Sequence, residues 1–129
     1  MSVSILVVDD EPDVALLFRQ QFRREIRDGT YVMHVANSGE MALEQLGGGI
    51  EPTLIVILSD INMPGMDGLQ LLAEVKQRYP NFPVMMVTAY GDEERRQRAS
   101  ELGAAEFITK PVDFDALKVH LRQLPSAAD

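Results

Sequence analysis

Short runs of apolar, mostly β-branched residues alternate along this chain with longer segments in which apolar residues recur every three or four positions. The short runs predict buried strands, and the longer segments predict amphipathic helices. Strands are predicted at residues 5–8, 31–36, 54–58, 84–87 and 107–108, and a helix follows each one. Five such βα units in series predict an α/β fold class, with a mostly parallel sheet and helices on both faces.

The predicted helix boundaries rest on residues that begin or end helices in proteins. Pro12 fits the first turn of a helix, and we expect this single helix to stop at Asp28-Gly29. Asn37 and Glu40 stand three residues apart and form a capping-box pattern for the second helix. The remaining three helices are each predicted to begin at an aspartate: Asp67, Asp92 and Asp113.

Length, charge and composition limit the classes of protein that this chain can represent. With 129 residues it fits one domain, 1–129, with a core over 3–124 and a frayed tail over 125–129. The absence of cysteine excludes disulfides and thiolate metal sites. A net charge of −8 argues against binding to nucleic acid or to an anionic membrane surface. Because no apolar run approaches the ~18 residues of a membrane span and no signal peptide is visible, we expect a soluble cytoplasmic protein.

Polar residues stand directly after four of the five predicted strands. They are Asp9-Asp10-Glu11, Asp60-Ile61-Asn62, Thr88-Ala89-Tyr90 and Lys110-Pro111. Ligands of open parallel sheets bind outside the carboxyl ends of the strands, so these residues are candidates for a functional site. Asp9, Asp10 and Asp60 should converge there, and clustered carboxylates are unfavourable unless a cation lies among them. Oxygen ligands without histidine or cysteine favour a hard cation, Mg²⁺ or Mn²⁺.

Lys110 and Thr88 would add a mobile positive charge and a hydroxyl donor beside Asp60. A metal ion, a lysine and a hydroxyl group around one aspartate supply what phosphoryl transfer needs, with the aspartate as the nucleophile. Each residue taken alone has a simpler interpretation, because strand-end aspartates often form helix caps and buried threonines often pack in the core. The occurrence of all of them at strand ends favours phosphoryl chemistry.

These motifs together resemble the receiver domain of two-component response regulators, and the chain is similar to the chemotaxis regulators of that family. The resemblance covers residues 3–124 and rests on Asp9-Asp10-Glu11, the run from Ser59 to Gly68, Thr88-Ala89 and Lys110-Pro111. It implies a flavodoxin-like (βα)5 fold, a doubly wound three-layer sandwich whose five-stranded parallel sheet has the order 2-1-3-4-5. The implied function is to take a phosphoryl group from a sensor histidine kinase or a phosphotransfer protein.

The resemblance assigns roles to the acidic residues and to the lysine. Asp60 would accept the phosphoryl group, and Lys110 would contact a phosphoryl oxygen. Asp10, Asp60 and the main-chain carbonyl group of Asn62 would bind Mg²⁺ directly. Asp9 would act on the ion through a water molecule.

The resemblance also assigns roles in switching and in phosphoryl lifetime. Thr88 would move to the phosphoryl group after transfer, and Phe107 falls at the aromatic switch position. Because Phe107 has no hydroxyl group, its switching would occur by packing. The peptide bond before Pro111 would be cis, which is uncommon by base rate. Asn62 and Tyr90 match positions that tune how long the phosphoryl group persists.

Signalling would take place at the face formed by the fourth predicted helix, the fifth strand and the last helix. The partner would be an unknown downstream protein or effector domain, and a homodimer that forms on phosphorylation stays open. No direct contact with nucleic acid or membrane is implied. In the fourth helix Arg95, Arg96 and Arg98 predict a solvated face, with an output surface as the alternative.

Three other functions stay open on the residues alone. A Mg²⁺-dependent hydrolase could also use Asp60 as its nucleophile, although Asn62 stands where a second acid would be expected. A nucleotide or flavin binder usually has a glycine-rich first turn, and Asp9-Asp10-Glu11 would repel a phosphate there. A constitutive receiver-fold adaptor would not need the full set of phosphorylation residues. We therefore expect a receiver that assists its own phosphorylation and dephosphorylation and is otherwise not an enzyme.

Overall fold

The computed structural model describes residues 3–50, 55–89 and 92–123 of the chain. Within these residues five strands alternate with helices, and the helical part of the first βα unit is divided into two. The strands are β1 (Val3–Val8), β2 (Tyr31–Ala36), β3 (Ile55–Asp60), β4 (Val84–Thr88) and β5 (Glu106–Thr109). The helices are α1 (Pro12–Gln21), α2 (Arg23–Arg27), α3 (Gly39–Gly48), α4 (Gly68–Arg78), α5 (Glu93–Glu101) and α6 (Phe114–Gln123).

The strands form one parallel sheet in the order β2-β1-β3-β4-β5, which confirms the predicted doubly wound, flavodoxin-like topology. All six residues of the central strand β3 are buried, because helices cover both faces of a parallel sheet. The register pairs Val8 with Ser59 and Asp60 with Val87. The carboxyl ends of β1, β3 and β4 therefore lie side by side at one edge.

Two hydrophobic clusters, one on each face of the sheet, hold the three layers together. Leu6 and Val8 of β1 belong to the cluster that contains residues of α3, α4 and α5. Ile5 and Val7 belong to the cluster that contains residues of α1 and α6. Successive side chains of a strand point to opposite faces, so β1 contributes equally to both layers of core.

The prediction of a single helix after β1 is wrong. α1 ends at Gln21 and α2 begins at Arg23, with Phe22 between them at φ −101° and ψ 13°. The Phe22 side chain is fully buried, and its ring makes edge contacts with the rings of Tyr31 and Phe114. Tertiary packing of this ring overrides the helical periodicity of the sequence, which by itself is only a weak determinant.

The predicted cap of α3 is wrong by one residue. Ser38, and not Asn37, occupies the N-cap position, and its Oγ accepts a backbone N–H three residues further on at 3.1 Å. Asp67 and Asp113 do accept the capping hydrogen bonds predicted for α4 and α6. Asp92 stands at the N-cap of α5, but within the described residues its side chain makes no capping hydrogen bond.

Some predictions fall on residues 1–2, 51–54, 90–91 and 124–129, which lie outside the described residues. They concern Leu54 in the third strand, Tyr90 beside the site and the tail over 125–129. In the parts of the chain that are described, none of the helices has the length and apolar character needed to cross a membrane.

Candidate functional site

The carboxyl edge of the sheet gathers the polar residues that follow the strands. Asp9 follows β1, Asp60 and Thr88 are the last residues of β3 and β4, and Lys110 follows β5. The backbone N–H of Lys110 donates to the carbonyl oxygen of Thr88 at 2.8 Å, and that of Asp9 donates to the carbonyl oxygen of Ala36 at 3.1 Å. Sheet hydrogen bonding thus continues into these loops and fixes where they leave the sheet.

Three carboxylate groups lie within reach of a single cation. One oxygen atom from each of Asp9, Asp10 and Asp60 lies within 4.8 Å of the others. Asp9 and Asp60 are each only 5% exposed, whereas Asp10 is exposed. The backbone N–H of Glu11 donates to Asp9 Oδ1 at 2.9 Å and orients that carboxylate.

The site perturbs the titration of the Asp9 carboxylate. Burial raises the pKa of Asp9 above its ordinary value of 3.8, because removal from water disfavours the charged form. The hydrogen bond from Glu11 and the charge of Lys110 act in the opposite direction, and repulsion by Asp60 and Asp10 adds to the increase. The cluster is therefore electrostatically unfavourable without a cation.

Lys110 brings a positive charge to this acidic edge. Its Nζ lies 3.1 Å from Asp60 Oδ2 and 4.0 Å from Asp9 Oδ2. Burial alone would lower the pKa of Lys110, but the hydrogen bond to Asp60 and the charges of Asp60, Asp9 and Glu11 outweigh it. The pKa therefore lies above its ordinary 10.5, and the ammonium group is charged at neutral pH. The bond between Lys110 and Pro111 is cis, as the resemblance implies.

Thr88 carries a buried hydroxyl group at the end of β4, the strand next to β3. Its side chain is fully buried, and Oγ1 has no hydrogen-bond partner among the described residues. A buried hydroxyl group without a partner costs roughly 1–3 kcal/mol. The position is therefore suited to a ligand that brings oxygen atoms to the site, as a phosphoryl group does.

The side chain of Phe107, in β5, contacts helix α5. Its half-buried ring packs against the cluster on the α3–α5 face, and the guanidinium carbon of Arg96 lies 5.1 Å from the ring centroid. This arrangement is a cation–π contact. In the sheet Phe107 is paired with Met86, two residues before Thr88.

Asn62, in the loop after β3, also contacts helix α5. Its backbone N–H donates to Asp60 Oδ1 at 3.2 Å. Its exposed side-chain carbonyl oxygen accepts a hydrogen bond from the Arg95 guanidinium group. Tyr90, the other residue predicted to tune phosphoryl lifetime, lies outside the described residues.

A close backbone contact holds the end of β3 and the loop after it against the start of α4. The backbone N–H of Gly68 donates to the carbonyl oxygen of Ile61 at 2.8 Å. A Cβ atom at Gly68 would overlap the carbonyl oxygen of Asp60, so a side chain cannot be accommodated without moving the loop. Asp67 and Gln70 form a capping box that fixes the start of α4 beside it.

Comparison with known proteins assigns the chain to a family. The sequence profile of the response regulator receiver domain matches residues 5–122. The chain belongs to this family. The receiver domain is 36% identical over 134 residues to the response regulator protein FleR of Pseudomonas aeruginosa. That alignment covers 100% of this chain but 27% of FleR, so the chain spans about a quarter of the length of this curated relative.

Solved structures of receiver domains have the same architecture. The receiver domain of NtrX from Brucella abortus is 31% identical, with a TM-score of 0.80, and the match covers 92% of this chain and 95% of that one. The response regulator protein TrrA from Thermotoga maritima, solved in complex with Mg²⁺ and BeF, is also 31% identical. Its TM-score is 0.79, and the match covers 97% of this chain and 100% of TrrA.

The acidic cluster of this receiver domain fits a magnesium ion. The ligand atoms that it offers are carboxylate oxygens, the type that Mg²⁺ prefers. The upward shift of the Asp9 pKa is the electrostatic penalty that a divalent cation would relieve. Both observations agree with the cation predicted from the strand-end aspartates.

Two side-chain contacts near the site of the receiver domain were not predicted from its sequence. The charged pattern of α5 indicated a solvated face, whereas Arg95 contacts Asn62 and Arg96 contacts Phe107. Asn62 and Arg95 are 33 residues apart and belong to different βα units. No local pattern reports such a pairing, because it depends on where α5 lies relative to β3.

Proposed function

We propose that this receiver domain takes a phosphoryl group onto Asp60 from a histidine kinase or a phosphotransfer protein, and then signals by protein contact. The observation that supports this most is the set of groups around the Asp60 carboxylate. Lys110 Nζ lies 3.1 Å from it, and carboxylate oxygens of Asp9 and Asp10 lie within 4.8 Å. This set combines a nucleophile, a fixed cationic side chain and a cation site.

In the transfer, an Asp60 carboxylate oxygen forms a bond to phosphorus while the bond from phosphorus to the donor imidazole nitrogen breaks. The electron pair of the broken bond stays with the imidazole group of the donor. Lys110 offsets the negative charge on the phosphoryl oxygens, and such positioned charge is the main catalytic contribution in phosphoryl transfer. Before transfer Lys110 is protonated at neutral pH, since its pKa lies above the ordinary 10.5.

Mg²⁺ is the cofactor that the residues support, and Mn²⁺ has the same preference for oxygen ligands. Asp10, Asp60 and the main-chain carbonyl group of Asn62 would hold it, with Asp9 acting through a water molecule. When bound, the ion neutralises negative charge shared between the carboxylates and the phosphoryl oxygens. The crystal structure of TrrA with Mg²⁺ and BeF supports the same chemistry in a relative of similar fold.

Switching is proposed to begin at Thr88. Its buried, unpartnered hydroxyl group would move to bond a phosphoryl oxygen, and the Phe107 ring would pack into the space left behind β4. Since Arg96 of α5 lies over that ring, the change would reach the α5–β5–α6 face. Phosphorylation would thereby shift a pre-existing equilibrium, by as much as its differential affinity for the two states.

Asn62 and Tyr90 are proposed to set the lifetime of the phosphoryl group, with the Tyr90 ring covering the approach of water. The output is proposed to be a downstream protein or an effector domain, as the resemblance to response regulators implies. A single receiver domain over 1–129, a cytoplasmic location and a homodimer that forms on phosphorylation stay predictions from the sequence.

Phosphoryl uptake tests the proposal. The protein is incubated with acetyl phosphate, with and without Mg²⁺, and its intact mass is measured. Wild type and the exposed-acid control Asp13→Asn should gain one phosphoryl group in a Mg²⁺-dependent manner, whereas Asp60→Asn should gain none. Equal labelling of Asp60→Asn would show that Asp60 is not the acceptor. Repeated turnover of a small phosphate ester would favour the hydrolase alternative instead.

A further inference from the structure

Asn62 links the acceptor carboxylate to helix α5 through two hydrogen bonds. Its backbone N–H donates to Asp60 Oδ1 at 3.2 Å. At the other end of the residue, the side-chain carbonyl oxygen Oδ1 accepts a hydrogen bond from Nη1 of Arg95. Arg95 is the third residue of α5, so the start of this helix is hydrogen-bonded directly to the loop that follows Asp60.

The Arg95 guanidinium group is directed at this amide rather than at an acid. Among residues 3–50, 55–89 and 92–123, no carboxylate forms an ion pair with Arg95. Its neighbour Arg96 is directed elsewhere, over the Phe107 ring. Arg95 and Asn62 together line a surface groove with Met63, Pro64, Gly65 and Asp67, on the side of the loop that faces solvent.

We infer that Arg95 is a positioning residue that prolongs the life of the phosphoryl group by holding the side-chain amide of Asn62. This inference rests on the proposed function, because it concerns the stability of an acyl phosphate on Asp60. In this inference Arg95 acts on the site through Asn62 and does not itself touch the phosphoryl group.

The physical reason lies in what hydrolysis requires of its water molecule. The water oxygen forms a bond to phosphorus, the bond from phosphorus to the Asp60 oxygen breaks, and its electron pair returns to the carboxylate. The protons of the water leave with inorganic phosphate. The water must be in line with the breaking bond and oriented by an acceptor. Asn62, whose backbone N–H donates to Asp60 Oδ1, carries such an acceptor in its side-chain carbonyl oxygen.

Donation by Arg95 occupies this acceptor and restrains the amide. Without Arg95, Oδ1 of Asn62 is free to accept a hydrogen bond from the attacking water, so hydrolysis becomes faster. The expected acceleration is roughly 2- to 10-fold, the rate factor that corresponds to the net strength of one hydrogen bond.

The test compares the loss of the phosphoryl group among variants of α5. Each protein is loaded with acetyl phosphate and Mg²⁺, its loading is measured by intact mass, and the decay is followed after the donor is removed. Arg95→Ala should lose the group faster than wild type, while Arg95→Lys, which keeps a donor, should stay closer to wild type. Arg98→Ala removes an arginine from the same helix and should not change the rate.

A double-mutant cycle shows whether Arg95 acts through Asn62. Asn62→Ala and the double variant Asn62→Ala with Arg95→Ala should decay at the same rate, because the group that Arg95 holds is gone. The inference would be overturned if Arg95→Ala decayed at the wild-type rate or more slowly, or if Arg98→Ala accelerated the decay as much as Arg95→Ala does. It would also be overturned if Arg95→Ala still accelerated the decay in the Asn62→Ala background. If neither wild type nor any variant took up the phosphoryl group, the proposed function would be wrong, and the inference that rests on it would be wrong as well.

Discussion

At the scale of single residues, the site balances one lysine against three carboxylates. Asp60 has the shorter contact with Lys110 Nζ, 3.1 Å against 4.0 Å for Asp9. Asp9 is as buried as Asp60, but its carboxylate lies farther from the lysine ammonium group. Burial raises the pKa of Asp9. Asp9 therefore carries an electrostatic penalty in the metal-free site, while the proposed nucleophile Asp60 has the shorter contact with the lysine.

Replacement of Asp9 tests this electrostatic penalty. The folded pKa of Asp9 lies above its unfolded value of 3.8, so its protonated form stabilises the fold below that pH. This stabilisation is lost as the pH rises through the folded pKa. Asp9→Asn keeps an oxygen atom that can accept the hydrogen bond from the backbone N–H of Glu11. Without metal at neutral pH, this variant should melt a few degrees higher than wild type. Such a shift corresponds to a gain of ~1 kcal/mol in the free energy of unfolding for a domain of this size.

The measurement is thermal unfolding followed by circular dichroism, in chelator, at mildly acidic and at neutral pH. The difference between Asp9→Asn and wild type should shrink as the pH falls, and Mg²⁺ should narrow it by stabilising wild type. Glu44→Gln, at an exposed position within α3 and outside the acidic cluster, should behave as wild type. A metal-free Asp9→Asn protein that melts lower than wild type would contradict the electrostatic interpretation.

At the scale of secondary structure elements, β4, β5 and α5 form a connected path away from the site. Thr88 ends β4, Phe107 lies in the neighbouring strand β5, and Arg96 of α5 lies over its ring. Arg95 gives α5 a second connection, to the loop after β3. Helix α5 is thus in contact with both the loop after β3 and the proposed switch residue.

Removal of the Thr88 hydroxyl group should separate phosphorylation from its structural response. Thr88→Ala should still take up the phosphoryl group, because Asp60 and Lys110 are intact. Backbone amide chemical shifts of α5 and β5 should then change much less than in wild type, whereas Thr88→Ser, which keeps the hydroxyl group, should respond. Wild-type shift changes in phosphorylated Thr88→Ala would rule out this coupling.

Two glycines at helix α4 and helix α3 offer a matched comparison of element packing. A Cβ atom at Gly68 would overlap the carbonyl oxygen of Asp60, whereas one at Gly47 meets nothing within 4 Å. Gly68→Ala should therefore lower stability by about 2 kcal/mol or more and slow phosphoryl uptake. Gly47→Ala should raise stability by up to ~1 kcal/mol, as alanine favours a helix over glycine.

Urea unfolding of both glycine variants, combined with uptake rates from acetyl phosphate, measures these effects. If Gly68→Ala had the stability and the uptake rate of wild type, the close contact between α4 and the end of β3 would not restrict this position.

At the scale of the whole molecule, the sheet and its polar edge could be predicted because both follow from simple periodic rules. Apolar runs mark strands that are buried on both faces, and parallel strands bring their carboxyl ends to one edge. The break at Phe22 and the contact of Arg95 with Asn62 could not be predicted. They depend on side chains distant in sequence, Phe114 in one case and a residue 33 positions away in the other.

The decisive measurement is the position of the phosphoryl group on the loaded chain. The protein is treated with acetyl phosphate and Mg²⁺, the acyl phosphate is reduced with borohydride, and the modified residue is located by peptide mass spectrometry. The modification should lie at Asp60 alone, since its carboxylate has the close contact with Lys110. Modification at Asp9 or Asp10 in place of Asp60, or no modification under these conditions, would contradict the assignment of this receiver domain's acceptor.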